Sequence, residues 1–375
     1  MVISTPDSAE FRKEVVVSAP INIALIKYWG KRDELRMLPL NDSVSLTVDS
    51  LCAKTRIRVG GSVEADSVRI NGVDYDMTSQ KRFWKCFAEA RKIRSERSGE
   101  DTTEECFEVV SKTNFPVAAG LASSAAGFAA IAYALGKLYD FSEEEVARLA
   151  RMGSGSACRS VFDGLVHWKA GEGEETSVEK AAENWPELRA IILVTSEKEK
   201  AVGSSVGMRL TVQTSELLKY RVSHVVPERV KGLVEAYKNR DFPKLGEIIM
   251  ADSNQLHAVC LDTRPPLRYM NDSSWHIVSI VEAFNSTSFR AAYSFDAGSN
   301  ACIFIQDKDV GAFLATVAKY AQFSEDLKSS LPEAGSVEAQ HLLNVEPKDC
   351  SITSVIVSTV GRGPTVIDNL DAGDC

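Results

Sequence analysis

The stretch 113–136, TNFPVAAGLASSAAGFAAIAYALG, decides how the rest of the chain is read: its length suits a membrane span, but its composition suits a phosphate-binding turn running into a buried helix. Pro116, Gly120, Ser123, Ser124 and Gly127 interrupt the first half, and alanine rather than leucine fills the second, a poor match to a lipid-facing helix. A turn followed by a helix remains. Gly120 permits a tight backbone approach, Ser123 and Ser124 suit the helix start, and the first-turn N–H groups converge on whatever lies ahead of them, which favours an anion. Phe128, Ile131, Leu135 and Leu138 mark one apolar face, and the alanines between them let other elements pack closely on the opposite side. No lysine follows Gly127 at Walker A spacing, so a nucleotide here would be held by backbone N–H groups and hydroxyls. Taken alone, the run reads more readily as a serine-capped core helix.

Composition narrows the function. At 375 residues, 44% hydrophobic and 25% charged, the chain has the make-up of a soluble globular protein with room for two domains and separate cores. A net charge of −9 argues against a general nucleic-acid or membrane-surface binder, while leaving room for a local basic pocket. Neither end carries a signal-peptide, prenylation or peroxisomal pattern, so the expected location is cytoplasmic. The eight cysteines include no CxxC pair and the five histidines no HExxH, so neither a structural zinc nor a disulfide framework is expected.

The opening is β-rich, with strand-like patterns at 15–17, 43–48 and 55–59 and a hairpin turn at Asn71-Gly72. A helix over 79–97 and a strand near 107–110 precede the glycine-serine turn. Ser142 and Glu145 form a capping box for a helix that Gly153 ends, after which Ser154 or Ser156 caps a further helix carrying Arg159. The acidic, glycine-containing segment 170–186 marks a domain boundary before the apolar strand 190–194. Helices then run to about Asn285, and strands at 291–295 and 301–305 flank a turn at 296–300.

Three groups carry candidate chemistry. Lys27 ends an apolar segment followed by Tyr28, Gly30, Lys31 and Arg32; the cations suit a diphosphate, and a lysine inside the protein needs an acidic partner. Arg159 lies three residues after Ser156, where hydroxyls and a guanidinium can converge on a carboxylate; a surface-paired arginine at a helix–helix turn is an equal alternative. Asp296 stands at a strand end on a tight turn, where it is placed to act as a base, although turn aspartates usually bond their own backbone. His257 and Cys158 read as packing residues.

Six segments in order, 19–47 (APINIALIKYWGKRDELRMLPLNDSVSLT), 114–130, 153–164 (GSGSACRSVFDG), 204–216, 252–272 and 293–301 (YSFDAGSNA), together resemble the GHMP family of small-molecule kinases, and within it the diphosphomevalonate decarboxylase family. The resemblance implies an α+β, two-domain GHMP-kinase-like fold with the active site in the cleft between domains. Residues 1–188 would form an ATP-binding domain similar to ribosomal protein S5 domain 2, and 189–375 a ferredoxin-like α+β domain, in a cytoplasmic homodimer. It implies ATP-dependent decarboxylation of mevalonate 5-diphosphate to isopentenyl diphosphate, in isoprenoid and sterol biosynthesis, with Mg2+ on the nucleotide.

By the same matching, Asp296 would take the hydroxyl proton, Lys27 would stabilise the anionic transfer, and Arg159 would hold the substrate carboxylate. Tyr28, Arg82 and Ser205 would contact the diphosphate, Ser154 and Ser156 the substrate and γ-phosphate region, and Gly120, Ala122, Ser123 and Ser124 the ATP phosphates; no protein ligand for the metal is assigned. Ser299 stands where the family more often has proline, which implies a less rigid turn. The alternatives are a kinase that stops at a phosphorylated product and a non-catalytic metabolite-binding relative.

Overall fold

A long apolar run rich in β-branched residues opens the fold as strand β1 (Lys13–Ile26) and carries Lys27 immediately beyond its end. Pro20, which has no N–H for a ladder, sits at a register shift between β1 and its neighbour, the position in which a strand tolerates proline. The computed structural model describes residues 13–60, 63–115, 123–196, 200–323, 327, 345–347 and 350–371, with only the backbone of Ser123. Gly120 and Ala122, expected at the ATP phosphates, lie outside these residues.

After the short pair β2 (Lys31–Asp33) and β3 (Leu38–Pro39), β4 (Ser43–Val59) returns antiparallel along β1. Strands β5 (Ser67–Ile70) and β6 (Val73–Tyr75) form the expected two-residue hairpin, with Asn71 and Gly72 both at positive φ, as a type I′ turn requires. Helix α1 (Lys81–Ser98) and strand β7 (Phe107–Thr113) lead to α2 (Ser123–Tyr139), whose alanines at 125, 126, 129, 130, 132 and 134 are fully buried. Their small side chains let α2 lie against β1 and β4. Helix α3 (Glu143–Gly153) starts in the Ser142–Glu145 capping box, with both reciprocal hydrogen bonds present. Next come β8 (Leu165–Lys169), β9 (Ser177–Ala182) and β10 (Leu188–Val194).

The second half contains α4 (Ser204–Thr214), α5 (Glu216–Tyr220), α6 (Val226–Lys238), α7 (Phe242–Asp262) and α8 (Asp272–Phe284). These are followed by β11 (Ala291–Phe295), β12 (Ala301–Gln306), α9 (Val310–Tyr320), β13 (Gln322–Phe323), β14 (Ser351–Ile352), β15 (Ser354–Thr359) and β16 (Thr365–Val366). One sheet of eight strands includes the order β16-β1-β4-β7-β5-β6, and a second of four has the order β11-β12-β10-β15. The chain end thus returns to the first sheet through β16, with Val366 opposite Val17.

Three expectations change. The apolar residues of both sheets join in one contiguous cluster, from Val15 through Ile191 to Ile303, rather than two separate cores; a smaller cluster gathers around Trp29, Met208 and Tyr269. The segment after Gly153 makes a single 3-10 turn, Gly155–Arg159, not a helix, and the Ser154 side chain does not cap it. Cys52 is disulfide-bonded, whereas Cys86, Cys106, Cys158, Cys260, Cys302 and Cys350 are free.

Candidate active site

The ends of β1 and β11 belong to different sheets, yet Lys27 and Asp296, the residues that follow them, meet: Lys27 Nζ donates to Asp296 Oδ1 at 2.6 Å. The lysine side chain is 2% exposed and the carboxylate 38%, so the pair is closed on one side and open on the other. The acidic partner that an inward lysine needs is therefore the candidate base itself.

The pair faces a cavity of about 610 Å³ lined by residues from both halves of the chain. Among the described residues its cationic lining is Lys27, Lys31, Lys81, Arg82, Lys85, Arg159, Lys200 and Arg209, against one carboxylate, Asp296. A chain of net charge −9 has thus gathered positive side chains at one place, a field suited to a multiply charged anion. Burial pulls Lys31, Lys200, Arg82 and Arg159 below their ordinary values, so an incoming anion would relieve an existing cost.

Arg159 owes its position to strand periodicity. Ser43 and Ser45, two apart, share one face of β4; Arg159 donates from Nη1 to Ser43 Oγ at 2.7 Å, from Nε to Ser45 Oγ at 3.1 Å, and from Nη2 to Asn22 Oδ1 on β1 at 3.2 Å. Asn22 in turn donates to the Ser156 carbonyl and to Ser160 Oγ, which ties the 3-10 turn to the sheet. Every partner of this buried guanidinium is neutral, and among the described residues it forms no ion pair, although Asp296 acts on it electrostatically. A charge held by neutral groups at a cavity wall suits a ligand carboxylate.

The other expected residues gather at the same cavity. Tyr28 packs against Trp168 with ring centroids 4.8 Å apart, and its buried hydroxyl has no partner among the described residues; burial pushes the phenol well above its ordinary value. Arg82 donates to the Gly153 carbonyl at 2.6 Å and lies over the Phe128 ring. Gly153 is needed there, because a Cβ would stand 1.9 Å from that ring. Ser124 Oγ and Ser154 Oγ are 3.2 Å apart, which joins the start of α2 to the end of α3. Ser156 and Ser205 also line the cavity. The turn at 296–300 is tied down despite serine at 299: Thr195 Oγ1 donates to the Ser299 carbonyl at 3.1 Å, and Ser274 Oγ donates to the same carbonyl at 2.8 Å.

Sequence reading missed Lys81, Lys85, Lys200, Arg209 and the Asn22–Ser43–Ser45 cradle. Lys81 and Lys85 share a helix face at i, i+4, a signal that was available. Lys200 ends an alternating run of charges that reads as solvated loop, yet its ammonium donates to the Ala297 carbonyl and to Ser204 Oγ, both at 2.9 Å. Among the described residues no group of three or more His, Cys, Asp or Glu side chains is placed to hold a metal, and no helix is long and apolar enough to cross a membrane.

A basic cleft between helix-covered sheets, with a carboxylate and a lysine in contact, defines the GHMP-kinase-like class. A model of the diphosphomevalonate decarboxylase-like N-terminal domain matches residues 19–179, and one of the mevalonate 5-diphosphate decarboxylase C-terminal domain matches 190–367. The chain belongs to the diphosphomevalonate decarboxylase family. It is 42% identical to the human diphosphomevalonate decarboxylase, over 95% of this chain and 94% of that one. The mevalonate diphosphate decarboxylase from Trypanosoma brucei has a similar structure, with a TM-score of 0.84, 33% identity and coverage of 96% and 99%. So does MDDEF, solved in complex with MVAPP, AMPPCP and magnesium, with a TM-score of 0.75, 29% identity and coverage of 96% and 100%.

Proposed function

We infer that this chain is a carboxy-lyase that converts mevalonate 5-diphosphate and ATP to isopentenyl diphosphate, ADP, phosphate and carbon dioxide, a step of isoprenoid and sterol biosynthesis. The observation that carries the reading is the Lys27–Asp296 contact at 2.6 Å on the wall of a strongly cationic cavity. Hydroxide is a poor leaving group, so the 3-hydroxyl is first phosphorylated. Asp296 accepts the hydroxyl proton as its oxygen bonds the γ-phosphorus and the bond to ADP breaks; Lys27 steadies the negative charge of the transfer. The C3–O bond then breaks with departure of phosphate, and the electrons of the C1–C2 bond form the C2–C3 double bond as carbon dioxide leaves. Arg159 holds the carboxylate in line for that cleavage.

Tyr28, Arg82 and Ser205 receive the substrate diphosphate, and the orphaned Tyr28 hydroxyl supplies a donor for it. Ser154 and Ser156 are assigned to the substrate and γ-phosphate region, and the family match assigns Gly120, Ala122, Ser123 and Ser124 to the ATP phosphates. The AMPPCP and magnesium of MDDEF support ATP and Mg2+ as the pair used here. When bound, Mg2+ neutralises phosphate charge; the Ser124 hydroxyl at the cavity is an oxygen fit to approach it. We also assign residues 1–188 and 189–375 as the two domains, in a cytoplasmic homodimer.

Incubating the purified protein with mevalonate 5-diphosphate and ATP should release carbon dioxide and ADP in equal amounts. ADP without carbon dioxide would point to the kinase alternative, and neither product to a non-catalytic relative.

A further inference from the structure

The segment 252–272 is among those that carry the family resemblance, yet its first polar residues do not reach the cavity. Leu256 of α7 lines it, whereas Asp252, Ser253 and His257 are buried behind. Asp252 and Ser253 reach backbone at two places. Asp252 Oδ1 accepts the Lys27 N–H at 2.8 Å, and Arg221, which pairs with both oxygens of Asp252, donates to the Lys27 carbonyl at 3.2 Å. Ser253 Oγ accepts the Phe295 N–H at 2.8 Å. One turn along, the His257 ring meets the Phe295 ring edge-on, with centroids 6.4 Å apart.

Lys27 is one member of the reactive pair and Phe295 directly precedes the other. They stand at the ends of β1 and β11, in two different sheets, so no shared ladder sets the distance between them. One helix supplies both anchors instead. Asp252 and Ser253 are neighbours with a rise of about 1.5 Å between them, on a helix of 21 residues, so the spacing of the two strand ends depends on α7, beside one direct bond from Ser294 Oγ to the Ala24 carbonyl at 3.3 Å.

We propose that Asp252 and Ser253 are positioning residues, holding the Lys27 and Phe295 backbones at the spacing that Lys27 and Asp296 need for phosphoryl transfer. Turnover then depends on side chains that touch no substrate. The proposal rests on the role given to Asp296 above.

The test is Ser253→Ala, which removes the acceptor for the Phe295 N–H. Misplacement of this kind costs about 10- to 100-fold in kcat with little change in KM for either substrate. In an Asp296→Asn background the same substitution should change kcat by less than about twofold, because the group it positions is already gone. An unchanged kcat in the single variant, or a full multiplicative loss in the double variant, overturns the proposal. If Ser253→Ala does not fold, Ser253→Thr and Ser253→Cys decide: the threonine hydroxyl keeps the acceptor and should hold kcat within about twofold, and the weakly accepting thiol should lower it; equal rates would overturn the proposal. A crystal structure of Ser253→Ala gives a readout independent of turnover, in which the 2.6 Å contact should lengthen or lose order. An unchanged contact refutes the positioning role even where wild-type protein releases no carbon dioxide, a result that by itself defeats only the functional reading.

Discussion

Two lysine- or arginine-to-aspartate pairs lie on either side of one peptide unit and do different work. Lys27–Asp296 opens to the cavity on its carboxylate side, whereas Arg221–Asp252 is wholly buried on both sides. Lys27 belongs to both arrangements, through its ammonium in the first and its backbone N–H and carbonyl in the second. The buried carboxylate is well supplied: Asp252 accepts from Arg221, Arg229 and Lys27, and although burial works to raise its carboxyl, the Arg221 charge and these bonds hold it below its ordinary value. The open pair leaves carboxylate surface for a ligand. Similar ions thus give a structural tie in one place and a ligand-facing group in the other, and what separates them is access to the cavity.

The comparison is broken most severely from the buried side. Arg221→Met leaves Asp252 in a closed site with Arg229 as its remaining cation among the described residues, and urea unfolding should register a loss of up to about 3–5 kcal/mol. Asp296→Asn should bind ATP and substrate with similar affinity while kcat falls by about 10²-fold, measured by carbon dioxide release, with a smaller change in the urea midpoint than Arg221→Met produces. Equal losses of stability in the two variants would erase the distinction.

The smallest effect sharpens it. Burial, and then the positive charge of Lys27, pull the His257 imidazole down to about 4. The unfolded chain takes up that proton near the ordinary value of about 6.5 and the folded chain resists, so the stability from this group is present above about pH 6.5 and is lost as the pH falls toward 4. Between about pH 7 and pH 5 the wild type should lose about 2 kcal/mol more than His257→Asn in parallel urea titrations. Parallel pH profiles would show that His257 is protonated as readily folded as unfolded.

Much of the framework was legible where interactions are local. The Asn71-Gly72 turn, the Ser142–Glu145 box and the small face of α2 each depend on residues within a few positions of one another, and each appears as read. The stretch after Gly153 did not follow its serine pattern, because Ser154 turns to Ser124 thirty positions away and the chain closes into one 3-10 turn. The site residues were legible as types and as family matches. Their company was not: the neutral cradle of Arg159 comes from three positions on two strands, and Lys200 reaches the cavity through bonds to Ala297 and Ser204.

The sequence alone determined the elements, the residue types at the reactive positions and the family, because capping, turn chemistry and motif order are written in short range. Tertiary structure alone decided which charges meet. Lys27 and Asp296 are 269 positions apart, Lys27 and Asp252 are 225 apart, and both distances close only when two sheets pack on the same helix. The field of a cavity is set by which side chains converge on it, so a chain that is acidic as a whole holds a site that is basic.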